Sequence, residues 1–230
     1  MYNVEMTNVC VAYESWHYHG LRRVVERHTV LEDICLQFTA GEINGISGPN
    51  GSGKSTLLRT ICGIHTPICG EISVFGAKPD IYDTKFKRRI GYTSSRRTAL
   101  MPNLPLADSF KLHRELYSLT GEADRGLLEK LSRHLDLKQL MCRPPREFSQ
   151  GQRARAELGL LLYHSPQLVF LDEITAALDL DYLPNFLDLL KEAGAHGAAI
   201  FLISHRKDDL ACADRLLTIE AVRISRDVRS

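Results

Sequence analysis

Gly48-Pro49-Asn50-Gly51-Ser52-Gly53-Lys54-Ser55-Thr56 decides the fold, because it has the form G-x-x-x-x-G-K-[ST] between two elements of different period. The apolar run Glu42 to Ser47 precedes it and the helix-like Thr56 to Cys62 follows, so strand, loop and helix come in the order such a loop requires. The glycines remove Cβ atoms, which lets successive N–H groups turn inward on an anion, and the opening helix adds the positive end of its dipole. Lys54 is then placed to reach the β- and γ-phosphates of a nucleotide, and the Ser55 hydroxyl to ligate Mg²⁺.

Working outward, 230 residues suit one large α/β domain able to bury a core. With 29 Lys+Arg against 28 Asp+Glu the net charge is +1, so no whole-molecule field argues for nucleic acid. Six cysteines are scattered without a C-x-x-C pair, and the first residues lack the layout of a signal peptide. The expectation is a reduced cytoplasmic protein whose cysteines are small core residues. The longest apolar stretches, Leu158 to Tyr163 and Ala198 to Ile203, fall far short of the ~20 residues a membrane helix needs.

Buried strands are expected at Val9 to Tyr13, Ile34 to Phe38, Glu42 to Ser47, Glu71 to Phe75, Ile90 to Thr93, Leu168 to Asp172, Ala199 to Ser204 and Leu216 to Ala221. Several alternate with helix-period segments, which argues a mainly parallel sheet covered by helices. Between Ile90 and Leu168 only helical patterns occur, at Leu106 to Leu119, Glu122 to Asp136 and Gln150 to Tyr163. The reading is a single domain over 1–230, with residues 1–93 and 165–230 as catalytic core and roughly 94–164 as an inserted helical subdomain. Ser15 to His28, with its aromatics and Arg22, Arg23 and Arg27, reads as an irregular or short-helical excursion.

Leu168-Val169-Phe170-Leu171-Asp172-Glu173 sets two carboxylates at the C-terminal tip of a buried strand, where ligand sites lie in such sheets. Asp172 can hold Mg²⁺ and Glu173 can polarise the water that attacks a γ-phosphate. Phe148-Ser149-Gln150-Gly151-Gln152 opens a further helix and offers a second set of free N–H groups.

Together these elements resemble the ATP-binding cassette (ABC) ATPase family, whose signature is Leu-Ser-Gly-Gly-Gln or a near variant. The resemblance covers nearly the whole chain and implies a P-loop NTPase fold with an antiparallel N-terminal β part. It implies ATP and Mg²⁺ as cofactors and a homodimer, or a dimer with a paralogous ATPase subunit. In that dimer Ser149, Gly151 and Gln152 close over ATP held by the other copy's phosphate loop. Ala176-Ala177-Leu178-Asp179 falls where the family keeps its D-loop, and His205, ending Leu202-Ile203-Ser204-His205, where the switch histidine belongs. Tyr13 is the first choice for stacking on adenine, with Trp16, Tyr18 and a plain core tyrosine as the alternatives.

The excursion after the first strand and Leu104-Pro105-Leu106-Ala107-Asp108-Ser109-Phe110 resemble the ABC-2 exporter branch, whose ATPase subunits drive separate permeases. That implies an ATPase lying peripherally on the inner face of the cell membrane through an integral membrane permease. The other readings are a soluble ABC ATPase without transport and a slow ATP-sensing module. The first would bring two cassettes or a long coiled-coil insertion, which this chain lacks.

Where the family has a Mg²⁺-ligating glutamine after the strand at Ile90, this chain reads Ser94-Ser95-Arg96-Arg97-Thr98, and alignment of the flanks puts Arg96 in that coupling loop. Arginine has five donors and no acceptor, so it cannot ligate a cation. Ile174 and Phe148 are further departures, both conservative in size and polarity. The expected consequence of Arg96 is slower or differently coupled hydrolysis. Steady-state turnover of the wild type beside Arg96→Gln checks it, and equal rates with equal Mg²⁺ dependence would sink the idea.

Overall fold

The computed structural model describes residues 2–19, 22–94, 98–178 and 180–229. In chain order the elements are β1 Tyr2–His19, β2 Arg22–Thr39, β3 Ile43–Ser47, α1 Lys54–Ile61, β4 Cys69–Val74, α2 Thr84–Lys87, β5 Ile90–Ser94, α3 Leu106–Tyr117, α4 Glu122–His134, α5 Gln150–Leu162, β6 Leu168–Asp172, α6 Leu183–Ala195, β7 Ala199–Ile203, α7 Lys207–Leu210, β8 Arg215–Glu220 and β9 Arg223–Arg229. Two sheets result. An antiparallel one has the order β2-β1-β4, and a six-stranded one has the order β5-β6-β7-β3-β8-β9, parallel except for β9.

The strands β6 and β7 are buried at every residue because helices or strands cover both faces of the larger sheet. Alternate residues therefore feed two different cores. Val169, Leu171, Ile200 and Leu202 face the helical side with Phe110, Leu131, Leu158 and Phe186, while Phe170, Phe201 and Ile203 face Phe38, Leu57 and the antiparallel sheet. Phe201 sits between Phe38 and Phe170 with ring centroids 4.7 and 4.9 Å away, the contact that joins the two sheets. Between β5 and β6 the described elements are helices, as the sequence pattern implied.

Three expectations are corrected. The stretch from Ser15 to His28 is neither irregular nor helical: β1 continues to His19 and pairs with β2 through Glu14↔Arg27, Trp16↔Val25, His17↔Val24 and Tyr18↔Arg23. Aromatics opposite β-branched valines favour that cross-strand pairing, which a reading based on helix or core periods passes over. Tyr13 accordingly lies within β1 and does not end it. Second, the cysteines are not six reduced core residues. Antiparallel pairing sets Cys10 opposite Cys69, Cα atoms 5.1 Å apart, and the two form a disulfide between β1 and β4. Among the described free cysteines Cys62 is in the core, Cys212 is half-buried, and Cys35 and Cys142 are exposed. Third, β9 was not expected, because its residues are mostly charged; it is held to β8 by the bidentate pair Arg215–Asp227 at 2.7 and 2.6 Å.

A polar clasp fixes the helical block to the edge strand β5. His164 Nε2 donates to the Ile90 carbonyl at 3.0 Å, so its Nδ1 is an acceptor for His113 Nε2–H at 2.9 Å. His164 must be neutral to accept in this chain of bonds, and the two imidazoles cannot both be protonated. Burial pushes the pKa of each down to about 4, with His164 opposing protonation of His113 as well. A histidine whose folded pKa lies below its unfolded value near 6.5 stabilises the fold above that value and loses the contribution as pH falls toward 4. The urea midpoint is therefore expected to drop between pH 7 and pH 5, by about 2 kcal/mol in unfolding free energy if one of the pair carries the effect. Replacing His113 and His164 together by Gln should flatten that slope, and an unchanged slope would contradict the clasp.

Candidate functional site: the phosphate loop and the strand tips beside it

Strand order assembles the site. In the sequence β6-β7-β3 across the sheet, Asp172 lies opposite Ile203 and Ile203 opposite Ile46, so three segments far apart in the chain end at one edge. The loop after β3, the Asp172-Glu173 tip of β6 and the Ser204-His205 tip of β7 are thereby neighbours at the C-terminal edge, where open α/β sheets bind ligands.

Backbone constraints shape the loop. Gly48 has φ +140°, and a Cβ there would lie 2.3 Å from the Ile219 carbonyl oxygen; Gly53 has φ +103°, and a Cβ would lie 2.8 Å from the Val30 carbonyl oxygen. Side chains are excluded at both ends of the cradle on both counts. Pro49, Asn50 and Gly51 form its exposed crest. Helix α1 starts immediately after Gly53 with neither a side-chain cap nor an acid in its first turn, so its leading N–H groups, those of Lys54, Ser55 and Thr56, are available to a ligand.

Lys54 is 5% exposed, and its Nζ donates to the carbonyls of Gly48 and Pro49 at 2.8 Å each, which leaves one of three N–H bonds uncommitted. Burial lowers its pKa, and the carboxylates of Glu173 and Asp172 oppose that shift. Ser52 Oγ is buried without a hydrogen-bond partner. A buried cation with a spare donor, an orphaned hydroxyl and uncapped helix N–H groups all fit a phosphate chain.

Ser55 Oγ donates to Asp172 Oδ1 at 3.0 Å. A buried carboxylate beside a hydroxyl is a hard-oxygen pair suited to Mg²⁺. The second oxygen, Asp172 Oδ2, accepts from Tyr92 Oη at 3.0 Å. Tyr92 was not singled out from the sequence, where an aromatic in a buried strand gives no sign of it. Its phenol is pushed up to about 12, first by burial and then by the Asp172 charge, so it stays a donor.

Glu173 adopts φ 60°, ψ 21°, a left-handed conformation that a non-glycine residue holds at a cost of about 1–3 kcal/mol. Its N–H donates to the Ile203 carbonyl at 3.1 Å, and its Oε1 lies 3.1 Å from His205 Nε2. The turn that carries His205 is held through its neighbours: Ser204 Oγ donates to the fully buried Asp209 at 2.5 Å while accepting from Thr175 Oγ1 at 3.2 Å and from the Arg206 N–H at 3.1 Å. That Ser-Thr-Asp network was also missed, since its members are separated in the chain.

Tyr13 reaches the same helix from the other sheet. Its Oη is 3.1 Å from Thr56 Oγ1 and 3.0 Å from His65 Nε2, with its ring edge-on to the imidazole. Of the three aromatic alternatives it is the one beside the loop. Trp16 and Tyr18 pack edge-on against each other on the opposite face of the hairpin.

Ser149, Gly151 and Gln152 are not brought to this loop by hydrogen bonds. Ser149 Oγ accepts from the Gln152 N–H at 3.2 Å and Gln152 Oε1 accepts from the Ser149 N–H at 3.1 Å, a capping box at the exposed start of α5. Arg96 and Asp179 lie outside the described residues. A cavity of about 630 Å³ beside Leu131 of α4 and Leu189 of α6 contains none of the site residues.

This geometry fits what whole-sequence comparison finds: residues 31–176, well over half of the chain, match the family described as ABC transporter. The chain belongs to the ABC transporter family. It is an ATPase domain of that family, whose members bind ATP with Mg²⁺. ABC transporter ATP-binding protein NatA of Bacillus subtilis is 28% identical over 204 residues, covering 87% of this chain and 83% of NatA. Ribose import ATP-binding protein RbsA 2 of Burkholderia ambifaria is 32% identical over 200 residues, 82% of this chain and 38% of RbsA 2. The cassette thus spans about two-fifths of that relative's length, and 27% of ABC transporter G family member 20 of Dictyostelium discoideum, 29% identical over 195 residues and 85% of this chain. A solved ATP-binding subunit of an ABC transporter superimposes with TM-score 0.86 over 98% of this chain and 89% of its own, at 24% identity, which shows the shared fold.

Tyr92→Phe removes one of two donors to a buried carboxylate, together with the hydrogen bond between its phenol and Arg59. The Mg²⁺ concentration for half-maximal turnover is expected to rise roughly tenfold, while nucleotide binding measured without Mg²⁺ stays put. A Mg²⁺ titration that superimposes on the wild type would remove Tyr92 from the site.

Proposed function

We propose that this cassette is the ATP-hydrolysing subunit of a membrane exporter, a head-to-tail dimer beneath a separately encoded integral membrane permease at the cytoplasmic face. The observation that carries it is the 3.1 Å pairing of Glu173 with His205 beside the Ser55–Asp172 pair and Lys54. A nucleotide binder without turnover has no use for a carboxylate held in a left-handed backbone against an imidazole at the strand tips.

In this reading the N–H groups of Gly51 to Thr56 and Lys54 Nζ bind the phosphates of ATP, and Tyr13 supports the adenine from the antiparallel sheet. Ser55 and Asp172 would hold Mg²⁺, and the ion would supply positive charge against the phosphates of the nucleotide. Glu173 accepts the proton of the attacking water, His205 holds that water in line, and Lys54 balances charge that builds on the γ-phosphate oxygens. Ser149, Gly151, Gln152 and the Asp179 loop would complete the site of a second copy. The exposed, internally capped start of α5 supports that role, since it offers a preformed helix N-terminus outward. Export is read from the stretch Ser15 to His28 and from Leu104 to Phe110, both similar to the ABC-2 branch. The permease would supply the span, because no described helix is long and apolar enough to cross a membrane.

Glu173→Gln should keep ATP binding, cut turnover by at least a hundredfold, and shift the protein to a dimer on size exclusion with ATP. Adding Lys54→Ala should abolish that shift. A Glu173→Gln protein that stays monomeric with ATP would count against the sandwich.

A further inference from the structure

Beyond Tyr13 the hairpin of β1 and β2 leaves the body of the protein. Strand β4 pairs with β1 only between Val4 and Cys10, so the tip is a two-stranded ribbon of about six residues a side, roughly 20 Å long. Ribbons of that kind are marginal in water unless a face is covered. This one holds large apolar groups in water instead: Trp16 is 58% exposed, Tyr18 67%, Val25 53% and Val24 39%.

The pairing register distributes those groups over both faces. Trp16 and Val25 are directly opposite and share one face with Tyr18, while Val24 lies opposite His17 on the other. A recess on a partner protein covers one face of a ribbon; a medium that surrounds the tip covers both. Charge selects the medium. Residues 16–25 contain Arg22 and Arg23 and no acid, a local charge of +2 in a chain whose total is +1, so the remainder carries −1. Tryptophan and tyrosine settle at the headgroup level of a bilayer, valine below it, and arginine against lipid phosphate.

We propose that the outer ends of β1 and β2, residues 16–19 and 22–25, insert shallowly into an anionic phospholipid surface and are this protein's own membrane contact, independent of any permease. Glu14 and Arg27, ion-paired at 2.6 Å where the ribbon leaves the body, mark the polar collar at which insertion stops. Tyr13 faces α1 and not the tip's aromatic side, so the contact does not draw on the nucleotide site.

Trp16 is the only tryptophan in the chain, so intrinsic fluorescence reports the tip directly. The purified full-length protein is mixed with vesicles of phosphatidylcholine alone and with vesicles containing 30 mol% phosphatidylglycerol (~30%, an anionic fraction typical of charged membranes). The expected result is a blue shift of Trp16 emission and co-sedimentation with the anionic vesicles only, both lost at high salt. Arg22→Gln with Arg23→Gln should weaken vesicle affinity tenfold or more while leaving the Trp16 spectrum in buffer and ATP turnover unchanged. Tyr18→Ser should weaken binding without altering its lipid selectivity. An unshifted spectrum with anionic vesicles overturns the proposal, as does equal binding by the double arginine variant. A blue shift that follows protein concentration in the absence of lipid, or that needs vesicles containing a permease, would assign the tip to a second copy or to a protein partner and likewise overturn it.

Discussion

The adjacency of three parallel strands, β6 beside β7 beside β3, is the constraint on which everything chemical in this molecule depends. Each strand contributes one short tip: the glycine loop from β3, Asp172 and Glu173 from β6, Ser204 and His205 from β7. None of these tips could reach another through local chain geometry, since the loop and Asp172 are 117 residues apart at their closest contact, Ser55 to Asp172. The ladder places them because parallel pairing fixes both neighbour and register, and that ladder is enforced by burial of both faces of β6 and β7. Phe201, caught between Phe38 and Phe170, ties the same strand to the antiparallel sheet and so relates Tyr13 to the loop.

Once the tips meet, their charges become interdependent. Lys54 is almost completely buried and would be driven toward its neutral form by desolvation alone; Glu173 and Asp172 oppose that. Asp172 in turn has both oxygens engaged by donors, Ser55 and Tyr92, so its orientation is held from two sides. Glu173 stores backbone strain, and a bond from its own N–H to the Ile203 carbonyl keeps that strained turn against β7. The network of Ser204, Thr175, Asp209 and the Arg206 N–H fixes the backbone on either side of His205, while the imidazole itself pairs with Glu173.

How much of this was legible varied with how local the cause was. The loop at Gly48 to Thr56, the carboxylate tip at Asp172 and the capped helix at Ser149 could be read directly, because each needs only a strand or helix boundary and residues within one turn of it. The helical block between β5 and β6 was legible from period alone. The hairpin from Ser15 to His28 was not, because its alternation of aromatics, histidines and valines has no buried face to give it a core-like pattern. Strand β9 escaped for a similar reason: its charged residues are held as a strand by antiparallel pairing with β8, reinforced by the grip of Arg215 on Asp227. The pairing of Cys10 with Cys69 rests on the register of β1 against β4, which no spacing of cysteines encodes.

By itself the sequence determined that a glycine-rich loop between strand and helix, a carboxylate-tipped strand and a capped helix exist in one α/β chain of the ABC transporter family. These follow from conformational rules acting over a few residues, where glycine, proline, capping side chains and hydrophobic period are sufficient causes. Tertiary structure alone decided that Tyr92 bonds Asp172, that Ser204 and Asp209 stand behind His205, and that an aromatic, basic hairpin tip stands clear of the body. Those are consequences of strand order and register, fixed by burial summed over the whole sheet, and no local segment carries that information.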